Sequence, residues 1–330
     1  MAQIIETATG TIEKGEVDPV TLDLIENGLR NARYEMDEVL FRTALSPGIR
    51  EQHDEFPLIG DPEGKMVVGQ FGLSIPDFLD NFDGTIEEGD VLLTSDPYSC
   101  GAAISHANDW LVVVPIFKDG RVVGWASMFG HMSDVGGKTP SSMPTDATTI
   151  YEEGVVIPPF KLYRKGVLND DALRIILNQV RKPDWNRADL NGLVAACRTA
   201  SRRVVEMCDR FGTATYLSAL DALLQRNYDA MKVLLSMVFE EGRTLSFTDY
   251  ICDDGVGFGP YELKLSLTRT GDKVHLDFTG SSPQAAGPIN YYINENLTRM
   301  FFGIYMITVA DPQILWNDGF YPLVDVTIPD

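Results

Sequence analysis

Basic residues are scarce in this chain. Its 330 residues include 27 lysines and arginines against 48 aspartates and glutamates, which gives a formal net charge of −21 at pH 7. A surface this acidic repels the phosphates of nucleic acids and anionic lipid headgroups, so we expect neither nucleic acid nor a membrane as a partner. An anionic substrate would need local positive charge or a metal ion.

Cysteine and long apolar runs are scarce as well. The four cysteines include no Cys-x-x-Cys pair and are too scattered for a disulfide framework, so we expect buried free thiols. No stretch approaches the roughly 18 apolar residues of a membrane span, and the N-terminus has no basic flank before an apolar core. These absences predict a soluble, cytoplasmic protein.

The rest of the composition, 44% hydrophobic and 23% charged, is that of a folded globular protein. Asp18-Pro19 predicts a helix start, and apolar residues at helical spacing extend the helix to Leu40, with an end expected at Pro47-Gly48. Short β-type runs joined by turns then fill residues 56–132. This pattern indicates a sheet built of hairpins rather than alternating strands and helices.

The second half of the chain is more helical. Helices are predicted over 170–181 and 189–241 with a break at Gly212, and a hairpin over 261–278. The expected fold class is therefore mixed α/β (α+β), a hairpin-rich mixed sheet with long packing helices. The expected divisions are an N-terminal helix with a β-rich metal-site domain (1–165), a helical region (166–245) and a β-hairpin region (246–330).

Two further segments lead to predictions about interfaces and about the extent of the protein. Residues 132–165 are rich in Gly, Pro, Ser and Thr and exceed the usual length of a connection, so they predict a functional or interface loop. The strand-like run 320–328 stops at Asp330 without a cap. We therefore expect either the N-terminal part of a larger subunit that continues beyond the chain end or a partner that pairs with the strand at this point.

Histidine is rare, and two of the four histidines lie in polar segments that flank a predicted hairpin. His106 and Asp109 belong to SHANDW, and His131 belongs to FGHMSDVGG. Two imidazoles and one carboxylate suit Zn²⁺, Mn²⁺ or Fe²⁺ with open positions for water or substrate. The alternative is that both are ordinary hydrogen-bonded histidines near strand ends.

The hairpin loop decides whether these residues meet. A three-residue loop, Lys118-Asp119-Gly120, pairs Phe117 with Arg121 and sets Asp109 opposite Phe129, which leaves Asp109 and His131 on one face. A two-residue loop would place them on opposite faces. The metal hypothesis therefore requires the longer loop or a bulge.

Other polar residues nearby are weaker candidates. Asp54 and Asp134 are possible further ligands or partners of ligands, although solvated turn carboxylates are the simpler interpretation. Lys138 is the candidate positive charge. The motif Gly136-Gly137-Lys138-Thr139 ends like a phosphate-binding loop, but Met132 stands where a glycine is required, so no ATP is expected on this chain. His53 and His275 are predicted to be structural or surface residues.

Several segments together resemble the hydantoinase B/oxoprolinase family. They are spread over essentially the whole chain, and they read DPVTLDLIENGLRNARYEMDEVLFRTALSPGIRE, GDVLLTSDPY, SHANDW, GHMSDVGG, ATTIYEEGVVIPPFKLY and DFTGSSPQAAGPIN. The resemblance implies a subunit of an ATP-dependent hetero-oligomer. Its hydantoinase A-like partner would bind ATP and Mg²⁺ and phosphorylate a carbonyl or amide oxygen, and the B-type subunit would carry the following chemistry.

The resemblance also implies a ligand set and a choice of reactions. In members that contain a metal, the ligands fall in the His-x-x-Asp and later His segments, here His106, Asp109 and His131. Zn²⁺ or Mn²⁺ is the expected ion. Known activities of the family are hydrolysis of cyclic amides (hydantoins, 5-oxoproline, lactams) and carboxylation of ketones such as acetone and acetophenone.

The segments VGQFG and GHMSDVGG are more similar to the aromatic-ketone carboxylases of the family than to its hydantoin-cleaving members, from which the chain departs at two places. Hydantoin-cleaving members usually read RRDFS where this chain has 52–57 QHDEFP, and HHAD where it has His131-Met132-Ser133-Asp134. The leading hypothesis is therefore a carboxylase subunit that joins an activated enolate with CO₂ from bicarbonate. The alternatives are a cyclic-amide hydrolase subunit and a non-catalytic structural homologue in the same complex.

Overall fold

The computed structural model describes residues 15–70, 75–101, 104–292, 294–310 and 315–329. The helices are α1 (Pro19–Thr43), α2 (Pro47–Gln52), α3 (Ile75–Asp80), α4 (Asp170–Leu177), α5 (Pro183–Phe211), α6 (Thr213–Val238) and α7 (Glu295–Ala310). The strands are β1 (Glu55–Gly60), β2 (Met66–Gly69), β3 (Val91–Thr94), β4 (Asp109–Lys118), β5 (Arg121–His131), β6 (Phe160–Arg164), β7 (Val167–Leu168), β8 (Thr244–Ile251), β9 (Tyr261–Thr270), β10 (Lys273–Asp277) and β11 (Val324–Thr327). Within these ranges, no helix has both the length and the apolar character needed to span a membrane.

Helix α1 begins where the sequence predicts. The Asp18 side chain accepts hydrogen bonds from the backbone N–H groups of Val20 and Thr21, and Pro19 occupies the first turn. The helix ends at Thr43, however, so the expected end at Pro47 is wrong. Pro47 instead begins α2, because its fixed φ and missing N–H suit the first turn of a helix.

The larger sheet has the order β2-β1-β5-β4-β3-β6-β7, and all its neighbouring strands are antiparallel. Apolar residues of α1 and α5 cover one face, and a second cluster that includes Phe78 of α3 covers the other. Burial on both faces explains why β4 and β5 are almost wholly apolar rather than alternating.

The helical region packs on this sheet. Helices α5 and α6 are separated at Gly212, whose φ of 88° lies in the left-handed region, so the predicted break is confirmed. The smaller sheet has the order β11-β10-β9-β8, with β10 and β11 parallel. The predicted 261–278 hairpin is its β9–β10 pair, and β8 and α7 were not predicted.

The mixed α/β class is confirmed by the described elements. The divisions 1–165, 166–245 and 246–330 stay predictions. Strand β7 lies beyond residue 165 and pairs with β6, and one hydrophobic core joins α4, α5 and α6 to the larger sheet. Cys252 is exposed, whereas Cys100, Cys197 and Cys208 are buried as expected.

Candidate metal centre

The β4–β5 hairpin has a tighter loop than the one expected. Lys118 pairs with Arg121, so the loop is the two residues Asp119 and Gly120, which both have positive φ values, 51° and 73°. That combination is typical of the type I′ turn of two-residue hairpins. The predicted three-residue loop is therefore wrong.

A β-bulge in β5 nevertheless places Asp109 and His131 on the same face of the sheet. Phe117 pairs with Val122 but Ile116 pairs with Gly124, which leaves Val123 as an extra residue on β5. Beyond this shift Asp109 lies directly opposite His131, not opposite Phe129 as expected. The metal hypothesis required either the longer loop or a bulge, and the structure has the bulge. It brings the side chains of Asp109 and His131 to the same face of the sheet.

Three predicted residues meet at this end of the sheet. His106 lies in the turn before β4, Asp109 begins β4 and His131 ends β5. The Nδ1 atom of His106 is 2.8 Å from Asp109 Oδ2, and the Nδ1 atom of His131 is 3.2 Å from Asp109 Oδ1. Potential ligand atoms of all three lie within 4.8 Å of one another. The two imidazole rings are 4.9 Å apart between centroids.

These distances fit a divalent ion. Ligands at about 2.1 Å from a metal stand about 3.0 Å apart at the edge of an octahedron and about 3.4 Å apart at the edge of a tetrahedron. The nitrogen–oxygen distances of 2.8 and 3.2 Å fall close to that range. The same distances also suit hydrogen bonds from two imidazoles to one carboxylate, which is the alternative arrangement.

The electrostatics of the cluster depend on Asp109, which is buried. Burial acts to raise the pKa of Asp109, but hydrogen bonds from His106 and His131 outweigh it and hold the pKa below its usual value. Burial acts to lower the pKa of His106, but the hydrogen bond and charge of Asp109 raise it. A carboxylate charge is thus kept in a buried position, where it requires positive partners.

Asp54 is the further candidate that the structure brings to the cluster. It lies just before β1, and its Oδ2 is 3.7 Å from His131 Nδ1, while its backbone carbonyl accepts from the His131 N–H. Burial raises the pKa of Asp54; His131 opposes this effect and Asp109 adds to it. Asp54 therefore contacts the cluster from the side of β1.

Asp134 and Lys138 lie in a different network. Asp134 accepts hydrogen bonds from the N–H groups of Gly136 and Ser141, and its two oxygens are 3.1 and 3.0 Å from Arg181 Nη1. Lys138 Nζ is 2.9 Å from Glu152 and 3.0 Å from Asp146. The structure thus places Asp134 in an anchor for the 134–142 loop, and the positive charge of Lys138 is already paired.

Glu153 and Ser105 are site residues that the sequence analysis missed. Glu153, in the long 132–165 segment, is half-buried and interacts electrostatically with His106; burial raises its pKa and His106 opposes that shift. Ser105 Oγ is 3.2 Å from His106 Nδ1. The unusual length of the 132–165 segment could have pointed to Glu153 as a site residue. The position of Ser105 next to His106 in the sequence could have pointed to Ser105.

Buried polar contacts fix the backbone behind His131. The Asp189 carboxylate, on α5, accepts from the N–H of Leu45 at 2.6 Å and from the Ser46 hydroxyl at 2.5 Å. The same Ser46 hydroxyl oxygen accepts from the N–H of Ser133 at 3.1 Å. Helix α5, the α1–α2 junction and the end of β5 are therefore held together beside the cluster.

Comparisons with known proteins identify relatives over almost the whole chain. The chain is 30% identical to the caprolactamase subunit beta of Pseudomonas jessenii over 323 residues, which cover 94% of this chain and 54% of that protein. It is 26% identical to 5-oxoprolinase 1 of Arabidopsis thaliana, over 98% of this chain and 28% of that protein. The chain thus spans about half, or less, of the length of these relatives.

Two solved structures share the fold. The crystal structure of ATP-dependent caprolactamase from Pseudomonas jessenii matches with a TM-score of 0.80 and 28% identity, over 96% of this chain and 55% of that one. The nucleotide-free structure of acetone carboxylase matches with a TM-score of 0.84 at 18% identity, over 97% and 44% of the two chains, and shows the fold alone. Because the family model for hydantoinase B/oxoprolinase matches residues 18–330, the chain belongs to the hydantoinase B/oxoprolinase family.

Proposed function

We propose that this chain carries the metal-dependent step in ATP-dependent hydrolysis of a cyclic amide, as the B-type subunit of a complex with a hydantoinase A-like, ATP-binding partner. The observation that carries the proposal is the convergence of His106, Asp109 and His131 at one end of the larger sheet. Relatives at 26 to 30% identity are named for a lactam and for 5-oxoproline. These names support cyclic-amide hydrolysis, which the sequence analysis held as the alternative to ketone carboxylation.

His106, Asp109 and His131 would hold the ion, Zn²⁺ or Mn²⁺. When bound, such an ion polarises a carbonyl oxygen or lowers the pKa of a water molecule. The buried charge of Asp109 favours a cation between the two imidazoles. Both histidine rings are about one-fifth to one-quarter exposed, with side-chain values of 20% and 26%, so the site is open to a substrate.

Asp54 is the proposed proton acceptor. Its side chain is 43% exposed and its Oδ2 faces His131. Because burial raises the pKa of Asp54, its carboxylate is a stronger base than an ordinary aspartate. In the proposed reaction the partner transfers a phosphoryl group from ATP to the amide oxygen, water attacks the activated carbon, and Asp54 Oδ2 takes the proton that the water loses. The C–N bond of the ring then breaks as its nitrogen takes up a proton, and a second water molecule releases phosphate from the acyl phosphate that is left.

Ketone carboxylation is the second candidate. It is favoured by Met132, which is fully buried in the main core where hydantoin-cleaving members have a second histidine. A buried thioether at this position leaves the cluster with two imidazoles. The same three residues would then hold an ion that supplies positive charge to the oxygen of an enolate while CO₂ from bicarbonate adds to its carbon.

ATP hydrolysis by the reconstituted complex tests these reactions. We expect turnover to rise with lactams, 5-oxoproline or hydantoins and to be indifferent to bicarbonate. A rise only with ketone and bicarbonate together would replace hydrolysis by carboxylation. His106→Ala and His131→Ala should abolish the response, with His275→Ala as the matched control, because His275 is exposed on β10 and bonds Thr327. Unchanged metal content and activity in both site variants would favour the remaining alternative, in which this chain is a non-catalytic structural homologue within the complex.

A further inference from the structure

Strand β8 is a long, exposed edge of the smaller sheet. It has eight residues, whereas the other edge strands of the two sheets, β2, β7 and β11, have four, two and four. Its pairing with β9 is regular, and no strand in the described parts of the chain pairs with its outer side. It contains no proline and one charged residue, Asp249. A long, regular edge without such protection offers unpaired N–H and C=O groups to another strand.

The two faces of β8 differ in character. Leu245 and Phe247 lie on the same face as the apolar cluster that α6 and α7 cover, but they are 42% and 66% exposed. On the opposite face, Ser246 Oγ is 3.2 Å from Ser266 Oγ of β9. A strand that continues this sheet must therefore present apolar side chains on one face and hydroxyl groups on the other.

A second copy of β8 has this pattern. A two-fold axis perpendicular to the sheet keeps the apolar faces of both copies on one side. With the axis at Ser246, antiparallel pairing sets Leu245 of one copy opposite Phe247 of the other, and Ser246 opposite its own copy. Arg243, which directly precedes β8, then lies opposite Asp249 of the second copy, once on each side of the axis.

Neighbouring registers lack this match. An axis at Leu245 sets Asp249 opposite Glu241, which brings like charges together. An axis at Phe247 sets Leu245 opposite Asp249, which places a carboxylate against an apolar side chain. Of these three registers, the one about Ser246 alone joins apolar to apolar residues and opposite charges to each other.

We propose that β8 is a dimerisation edge, along which a second copy of this chain pairs antiparallel about Ser246 and joins the two four-stranded sheets into one. Ion pairs between Arg243 and Asp249 form at both ends of the interface. The present partner of Arg243 is Glu240, at 3.5 Å, and their side chains are 64% and 73% exposed, so this contact is easily exchanged. The inference is independent of the metal centre.

Charge reversal tests the interface and its register together. Sedimentation velocity of the full chain between about 1 and 100 µM should show a dimer of twice the chain mass. Arg243→Asp and Asp249→Arg each place like charges at both ends, and each should weaken the dimer at least about tenfold. An equimolar mixture of these two variants should dimerise again, because every charge pair in the mixed dimer joins an arginine to an aspartate. The control Arg174→Asp alters a side chain of α4 that is 71% exposed, and it should dimerise like the unaltered chain.

Each other outcome overturns the proposal. A chain that stays monomeric at about 100 µM, or a dimer that neither charge reversal weakens, excludes this edge as the dimer interface. Weakening in both variants without recovery in their mixture overturns the register about Ser246. A dimer that the hydantoinase A-like partner dissociates, while the amides of β8 stay protected from hydrogen exchange, assigns this edge to that partner instead of a second copy. None of these measurements uses a metal or a substrate, so the proposed function stands or falls separately.

Discussion

Asp109 and His131 lie directly opposite each other across the β4–β5 hairpin, with His131 Nδ1 3.2 Å from Asp109 Oδ1. This relationship depends on one extra residue, Val123, inserted between the tight turn and the site. Side chains alternate between the faces of a strand, so the two-residue turn without the bulge would send Asp109 and His131 to opposite faces. The bulge therefore determines whether the chain has a candidate metal centre.

Loss of either imidazole should remove metal. We expect His106→Ala and His131→Ala each to lower Mn²⁺ or Zn²⁺ affinity by at least about 100-fold, because each removes a ligand itself rather than a supporting partner. Titration calorimetry and metal analysis of the purified chain measure the change. His275→Ala, which alters an exposed histidine on β10, should retain full affinity. Full metal content in both site variants would favour the hydrogen-bonded arrangement.

Local signals in the sequence predicted much of the fold. Asp18-Pro19 marked the start of α1, and Gly212 marked the break between α5 and α6, because capping and backbone conformation are properties of a few adjacent residues. Helix α7 was missed because its sequence, ENLTRMFFGIYMITVA, is rich in aromatic and β-branched residues with low helix propensity, which packing overrides. Strand β8 is exposed at nearly every residue, so burial gives it no pattern.

The sequence likewise predicted some features of the candidate site and not others. Scarcity of histidine singled out His106 and His131, but the sequence could not fix the hairpin register, which depends on β5 pairing with both β1 and β4. Asp134 and Lys138 looked equally available in the sequence. Their partners, Arg181 and Glu152, are brought to them only by the folded chain.

The backbone around the bulge should tolerate no side chain at Gly124. A Cβ there would lie 2.7 Å from the carbonyl oxygen of Gly60, whereas a Cβ on Gly130 would meet only the ends of the Ile49 and Leu193 side chains. We expect Gly124→Ala to cost about 2 kcal/mol or more of unfolding free energy and Gly130→Ala about 1 kcal/mol or less. Urea unfolding measures both. Equal losses would mean that β1 can move away from β5 at this point.

The Arg181 guanidinium should be needed for the 134–142 loop. It contacts both oxygens of Asp134 and the carbonyl oxygens of Gly136, Gly137 and Thr139. Lysine keeps the charge but not the planar fork, so Arg181→Lys should lower the unfolding free energy by about 1 to 2 kcal/mol. Limited proteolysis should then cleave within 134–142.

A matched control for that substitution is Arg174→Lys. The Arg174 side chain is 71% exposed and lies 3.9 Å from Asp171, so exchange of the head group should change stability by less than about 0.5 kcal/mol. Resistance of the 134–142 loop to protease in Arg181→Lys would show that Asp134 alone holds it, through the N–H groups of Gly136 and Ser141.

Ionisation of the buried Glu55 carboxyl group should lower the unfolding free energy at alkaline pH. It begins β1 beside Asp54 and is 1% exposed, and its Oε2 has no hydrogen-bond partner among the described residues. Burial, with added repulsion from Asp37 and Asp54, raises the pKa of Glu55 to about 8. The unfolded chain has the ordinary value near 4.5, so the folded state holds the extra proton between these two pH values.

A group whose pKa is raised on folding contributes stability in full below its unfolded pKa and loses it as the pH rises through its folded pKa. The contribution of Glu55 should therefore fall between about pH 5 and pH 9, by about 4 kcal/mol. Glu55→Gln cannot ionise, so urea unfolding should show a smaller loss over this interval than in the unaltered chain. The control Glu38→Gln changes a carboxylate that is 62% exposed and paired with Arg42, and it should follow the unaltered chain. If Glu55→Gln and Glu38→Gln lose stability equally between the two pH values, Glu55 is ionised throughout, and its charge must be balanced by Arg33, whose positive charge acts on it in the fold.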